Sequence, residues 1–157
     1  MSKASDAARA LIARTRLATL ATLSDDGGPL ATLVAVADDG EGRPLFLLSG
    51  LAEHTRNLRQ RPRASVLLVD AAHGPGGQMD RLRVTLTGSL SWLDGADAAL
   101  AKTRFVEHHP DAQQYASLPD FTPGRLEVEA VRVVGGFARA VTLPLDEYRA
   151  APGPPRR

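Results

Sequence analysis

LFLLSGLAEHTRNLRQRPRASVLL, running from Leu45 to Leu68, decides how this chain folds. It reads as a buried strand, a short cationic helix and a second buried strand. The apolar run Leu45–Leu48 is too short for a helix and ends at Ser49-Gly50, a turn signal. Ser49 is expected to cap the helix, its hydroxyl accepting an orphan N–H of the first turn. Leu51 and Leu58 are seven apart and are expected on one face. Pro62 lacks an N–H and clashes with the preceding turn, so the helix stops near Arg61. The opening turns then gather Ser49, His54, Thr55, Arg56 and Asn57, which are donors plus positive charge at a helix N-terminus, where the macrodipole favours an anion. A solvated surface helix explains Arg56, Arg59, Arg61 and Arg63 without any ligand, and side-chain chemistry alone favours that simpler reading.

Upstream, residues 4–15 have helical composition, with Ala7, Ala8, Leu11 and Ile12 on one side and Arg9 and Arg14 elsewhere; Ser5 or Asp6 is the expected cap. Leu17–Leu23 is a strand stopped by a turn in which Asp26-Gly27 supplies positive φ, and Leu30–Ala37 is its return. Downstream, Asp70–Asp80 is a Gly/Pro-rich loop. Leu82, Val84, Leu86, Leu90 and Trp92 alternate with Arg83, Thr85 and Thr87, and Gly88 marks a bulge or bend. Asp94–Glu107 is a helix ended by Pro110. His108-His109 lacks a third ligand at metal spacing, so no metal site is assigned. Arg125–Val141 has strand character, with a phase slip near Glu129-Ala130. Residues 144–157, ending APGPPRR, are expected to be disordered, which leaves 1–143 as a single domain.

The totals limit the function classes. With 157 residues, 43% hydrophobic content and a formal net charge of +1, the chain builds one core and carries no global field for nucleic acid or membrane. The absence of cysteine excludes disulfides and thiolate metal sites. The N-terminus has no secretory pattern and no apolar run reaches bilayer length, so a cytoplasmic protein is expected.

LFLLSGLAEHTRNLRQRPRASVLLVD, RLRVTLTGSL and VRVVGGFARA, in that order, resemble the FMN-binding split-barrel superfamily typified by pyridoxamine 5'-phosphate oxidase, and are closest to its haem-utilisation branch. The resemblance implies a mainly β fold with flanking helices, a six-stranded antiparallel split β-barrel, assembled as a homodimer with FMN at the subunit interface. It implies that Leu33, Val34, Ala35 and Val36 lie along the flavin through their backbone. It further implies that Ser49, His54, Thr55, Arg56 and Asn57 hold the phosphate, and that Arg83 reaches the cofactor or its contact with the partner subunit. The function implied is an FMN-dependent oxidoreductase with an unassigned substrate; the alternative is a non-enzymatic flavin- or haem-binding protein. Nothing in the final residues matches the segment that binds pyridoxal phosphate in the oxidases proper, and no histidine follows His109.

Overall fold

The apolar runs around Leu17–Leu23, Leu45–Leu48 and Ala64–Val69 become strands, and the computed structural model describes residues 2–72, 75–135 and 139–155. In chain order the elements are α1 (Lys3–Arg14), β1 (Leu17–Leu23), β2 (Pro29–Ala35), β3 (Ala37–Asp38), β4 (Pro44–Ser49), α2 (Glu53–Gln60), β5 (Arg63–Val69), β6 (Arg83–Trp92), α3 (Gly95–His108), β7 (Phe121–Val134), β8 (Ala140–Leu143) and α4 (Leu145–Ala150). The strands form one antiparallel sheet in the order β2-β1-β5-β6-β7-β4-β3, with β8 beside β7. Six are long, as expected of a split barrel; β3 and β8 are short additions.

The return strand expected over 30–37 is divided at Val36. Before it, Ala35 pairs with Leu17 of β1; after it, Ala37 pairs with Leu45 of β4. One bent strand therefore carries both borders of the sheet, and the barrel closes through it. β2 pairs only with β1, so its other edge is open towards β4.

Strand alternation directs the core. Leu20 of β1, Val66 and Leu68 of β5, Val84 and Leu86 of β6, and Leu126, Val128, Val131 and Val133 of β7 point inward and are buried. Each such side chain stabilises the fold by roughly 1.5–3 kcal/mol. A second cluster, including Leu45, Leu47, Ala101 and Phe105, lies outside the barrel beneath α3. The expected bend at Gly88 and the phase slip near Glu129-Ala130 are one feature. Thr87 pairs with Ala130 and Gly88 with Val128, so Glu129 is the extra residue of a β-bulge. Gly27, in the first hairpin turn, has the expected positive φ of 81°.

Two expectations are corrected. Ser2, not Ser5 or Asp6, caps α1, its Oγ accepting from the Ser5 N–H. Arg9 is buried, at 3% exposure. The chain from Leu145 to Ala150 is helix α4 and not a disordered tail, because Tyr148 supplies an aromatic anchor. Its ring is buried and its hydroxyl donates to the Gly42 carbonyl at 2.5 Å. Arg9 fastens the same helix, donating to the carbonyls of Tyr148, Arg149 and Ala151 at the α4 C-terminus and to Gly40. A cation suits a helix C-terminus. Within the loop Asp70–Asp80, His73 and Gly74 lie outside the described residues, as do residues 136–138 of the third quoted motif. No helix among the described residues is long and apolar enough to cross a membrane.

Candidate cofactor site

α2 lies across the end of the barrel where β1 finishes, and its sequence explains why. Leu58 is buried in the barrel core, and Asn57 Nδ2 donates to Thr22 Oγ1 at 3.1 Å. Thr55 is fully buried beside them. The polar residues Thr55 and Asn57 thus face inward, where the sequence reading had set them out as an anion cradle. Arg59 and Arg61 point elsewhere: Arg59 stacks over Trp92 at 4.6 Å, and Arg61 donates to the Asp25 carbonyl.

The start of the helix also differs from expectation. α2 begins at Glu53 with Ala52 at its N-cap. Ser49 instead closes the turn before it, accepting from the Leu51 N–H at 3.2 Å and donating to Asp120 Oδ2 at 3.5 Å. Leu51, expected on the buried face with Leu58, precedes the helix and is 81% exposed.

What remains open at this end is specific. The N–H groups of Glu53 and His54 meet no acceptor among the described residues. Thr55 Oγ1 is buried without a hydrogen-bond partner. Arg56 is exposed, and among the described residues its guanidinium donates to the Leu51 carbonyl alone. First-turn amides and a guanidinium form a seat for an anion, opposed in part by the Glu53 carboxylate in the same turn.

His54 joins this seat to the open edge of β2. Its Nδ1 and Thr32 Oγ1 share a hydrogen bond of 3.1 Å. Thr32 Oγ1 also lies 3.5 Å from the Leu20 carbonyl. With Nδ1 engaged by Thr32, Nε2 is the ring nitrogen of His54 that meets no partner among the described residues. Burial pushes the imidazole below its usual value and keeps it neutral, the form that ligates a metal. Leu33, next along β2, points to the opposite, outer face and is 70% exposed. His54 thus ties the start of α2 to the inner side of β2, with Arg56 and the first-turn amides beside it.

The other expected contacts divide. Val34 and Val36 are core residues and Ala35 is partly exposed. The Val36 backbone is already used: its N–H donates to the Arg16 carbonyl, and its own carbonyl accepts from His109 Nε2–H at 2.8 Å. Arg83 starts β6 whereas Trp92, under Arg59, ends it, which separates Arg83 from α2 by about 30 Å of strand. A single chain does not bring Arg83 to the α2 seat; it donates instead to the Met79 and Arg81 carbonyls. Among the described residues no group of His, Asp or Glu is arranged to hold a metal ion by itself.

Comparison with known proteins places this geometry. The family pattern described as "CREG, beta-barrel" matches residues 1–150. The chain belongs to the CREG beta-barrel family. A plant relative, "Non-canonical heme oxygenase HOZ, chloroplastic" of Arabidopsis thaliana, is 32% identical over 130 residues, covering 80% of this chain and 39% of that protein. Among solved structures, the "heme binding protein from Mycobacterium smegmatis" superposes with a TM-score of 0.91 at 34% identity, over 98% of this chain and 62% of that one. This chain thus spans less than two thirds of either relative. A protein of the "pyridoxinephosphate oxidase family" from Clostridium acetobutylicum shares the fold at 14% identity and a TM-score of 0.66, over 88% of this chain and 92% of that one. The split-barrel fold expected from the three motifs is therefore that of this CREG-like chain.

Proposed function

We propose that this protein binds haem against His54 at the start of α2, as a homodimer. The observation that carries the reading is the His54–Thr32 pair, which fixes a neutral imidazole beside exposed apolar surface and an anion seat. The residues fit the group: His54 Nε2 offers a ligand to iron, exposed Leu51 offers apolar contact, and Arg56 with the first-turn amides of α2 offers partners for propionates. Haem would supply redox chemistry at iron; the chain would supply orientation and charge. The haem names of the plant and mycobacterial relatives support this assignment.

A second reading, FMN bound by an FMN-dependent oxidoreductase, is favoured by one observation: two unpartnered first-turn amides beside the exposed Arg56 guanidinium suit a phosphate. The fold shared with the pyridoxinephosphate oxidase family is compatible with it. A homodimer is supported by the outer face of β2, β1 and β5, where Leu33, Leu17, Leu67 and Val69 stand exposed together. A cytoplasmic location is part of the same proposal, and cell fractionation checks it.

Titration with haemin and with FMN in parallel separates the readings. The haem reading expects a shifted Soret band that His54→Ala abolishes or moves. Arg56→Ala is expected to weaken binding by about one to two decades, for a lost charge-assisted bond of roughly 1.5–3 kcal/mol. Arg59→Ala, committed to Trp92, is the control. Saturable FMN binding with no Soret shift replaces the first reading by the second; no binding of either ligand overturns both.

A further inference from the structure

The barrel closes at Val36, and two adjacent histidines hold that corner from outside. His109 Nε2–H donates to the Val36 carbonyl, and His108 Nε2–H donates to the Thr15 carbonyl, each at 2.8 Å. The backbone returns the contacts: the Val36 N–H donates to the Arg16 carbonyl at 3.0 Å, and Arg16 NH1 donates to the His108 carbonyl at 2.9 Å. Four bonds thus form a clasp joining the end of α3, the α1–β1 link and the β2–β3 corner. The two rings stand edge to face with centroids 4.8 Å apart.

We propose that the His108–His109 pair is a proton-operated latch on this corner, shut while the pair carries at most one proton and opened by the second. One protonated ring is compatible with the clasp, because an imidazolium still donates through Nε2–H and suits a helix C-terminus. Two imidazoliums at this separation repel each other, His109 being buried and the Arg16 cation lying alongside. His109 is buried against Phe105, and the titratable group set against it is His108. His108 is faced by Arg16 from the α1–β1 link and by Asp38 from β3, and it shares a cleft with Arg104 and Glu107 of its own helix. Burial pushes His108 below the usual imidazole value; His109 and Arg16 act in the same direction, while the Thr15 bond and Asp38 oppose them. The inference is independent of which cofactor the site takes.

Amide hydrogen exchange, divided by intrinsic rates, tests it at pH 7 and pH 4.5 in wild type, His108→Gln and His109→Gln. Glutamine keeps an N–H donor at the same reach and does not titrate. In wild type, exchange over residues 34–38 is expected to accelerate at least tenfold at the lower pH while the β6 amides keep their protection. In either variant the acceleration is expected to vanish, because one remaining histidine cannot meet a second charge. His108, half-exposed, is the safer variant for folding. Unchanged wild-type protection, loss of protection throughout the barrel, or acceleration retained in His108→Gln would each overturn the latch; the last would assign the proton to Asp38.

Discussion

Gly88 lies so close to the strand beside it that a Cβ on it would stand 1.9 Å from the carbonyl oxygen of Glu127. Backbone cannot yield there as a flexible side chain would, because Glu127 is fixed in the β6–β7 ladder beside the bulge. Gly88→Ala is expected to cost about 3 kcal/mol or more, read from urea unfolding. A loss below about 1 kcal/mol would mean that the bulge relaxes freely.

Asn57 and Thr22 are a buried polar pair with one hydrogen bond between their side chains. Asn57→Ala leaves Thr22 without its donor and is expected to destabilise the protein by roughly 1–3 kcal/mol. Adding Thr22→Val should recover part of that loss. Strictly additive effects would show that the two side chains are not coupled.

Removal of the Arg9 guanidinium strips donors from four carbonyls that then face each other. Arg9→Met is expected to release α4, so that limited proteolysis cuts between residues 144 and 151 while the barrel survives. Wild-type resistance in that segment would show that Tyr148 alone anchors it.

Asp38 carries a pH signature of definite sign. Burial raises its carboxyl above the usual value, more than the N–H bonds from Gly42 and Gly40 lower it. The folded state therefore holds this proton more tightly than the unfolded chain does. The contribution is fully present below the ordinary carboxylate value and is lost as pH rises through the folded one. Asp38→Asn keeps an oxygen for the two backbone N–H groups. It is expected to leave stability at pH 7 equal or higher by up to about 1 kcal/mol, with a flatter dependence between pH 4 and 7. Marked destabilisation at pH 7 would show that attraction to Arg9 outweighs burial.

The exposed face of β2, β1 and β5 makes the assembly testable. Leu33→Glu places a charge in the middle of it and is expected to shift a dimer to monomer in sedimentation at micromolar concentration. Wild-type protein sedimenting as a monomer would remove the dimer from the proposal.

The sequence made the strands legible because their apolar runs are short and punctuated by glycine, proline and aspartate. Leu17–Leu23 has the predicted bounds, and β6 shows the predicted alternation of Val84 and Leu86 with Arg83 and Thr85. Gly88 and the slip near Glu129 were visible separately, but register alone shows that they face each other. α4 was hidden because its six residues sit among prolines, where one tyrosine was the signal. The site was less legible. His54, Thr55, Arg56 and Asn57 share one stretch of helix, and only the packing of α2 on β1 reveals that Thr55 and Asn57 turn inward while Arg56 stays out. The histidines at 108 and 109 looked like a metal fragment, yet each ring is already bonded to a backbone carbonyl.

The seam at Val36 has a mechanical consequence. The strand that runs through it is fastened to β1 by seven residue pairs and to β4 by two. Stiffness is therefore uneven around the circumference: the wall resists shear everywhere except where β2 swings away from β4. Bending at a single residue changes the width of that gap without tearing the long ladders. The hinge at Val36 lies four residues along the chain from Thr32, so bending there is passed to the contact that joins β2 to His54.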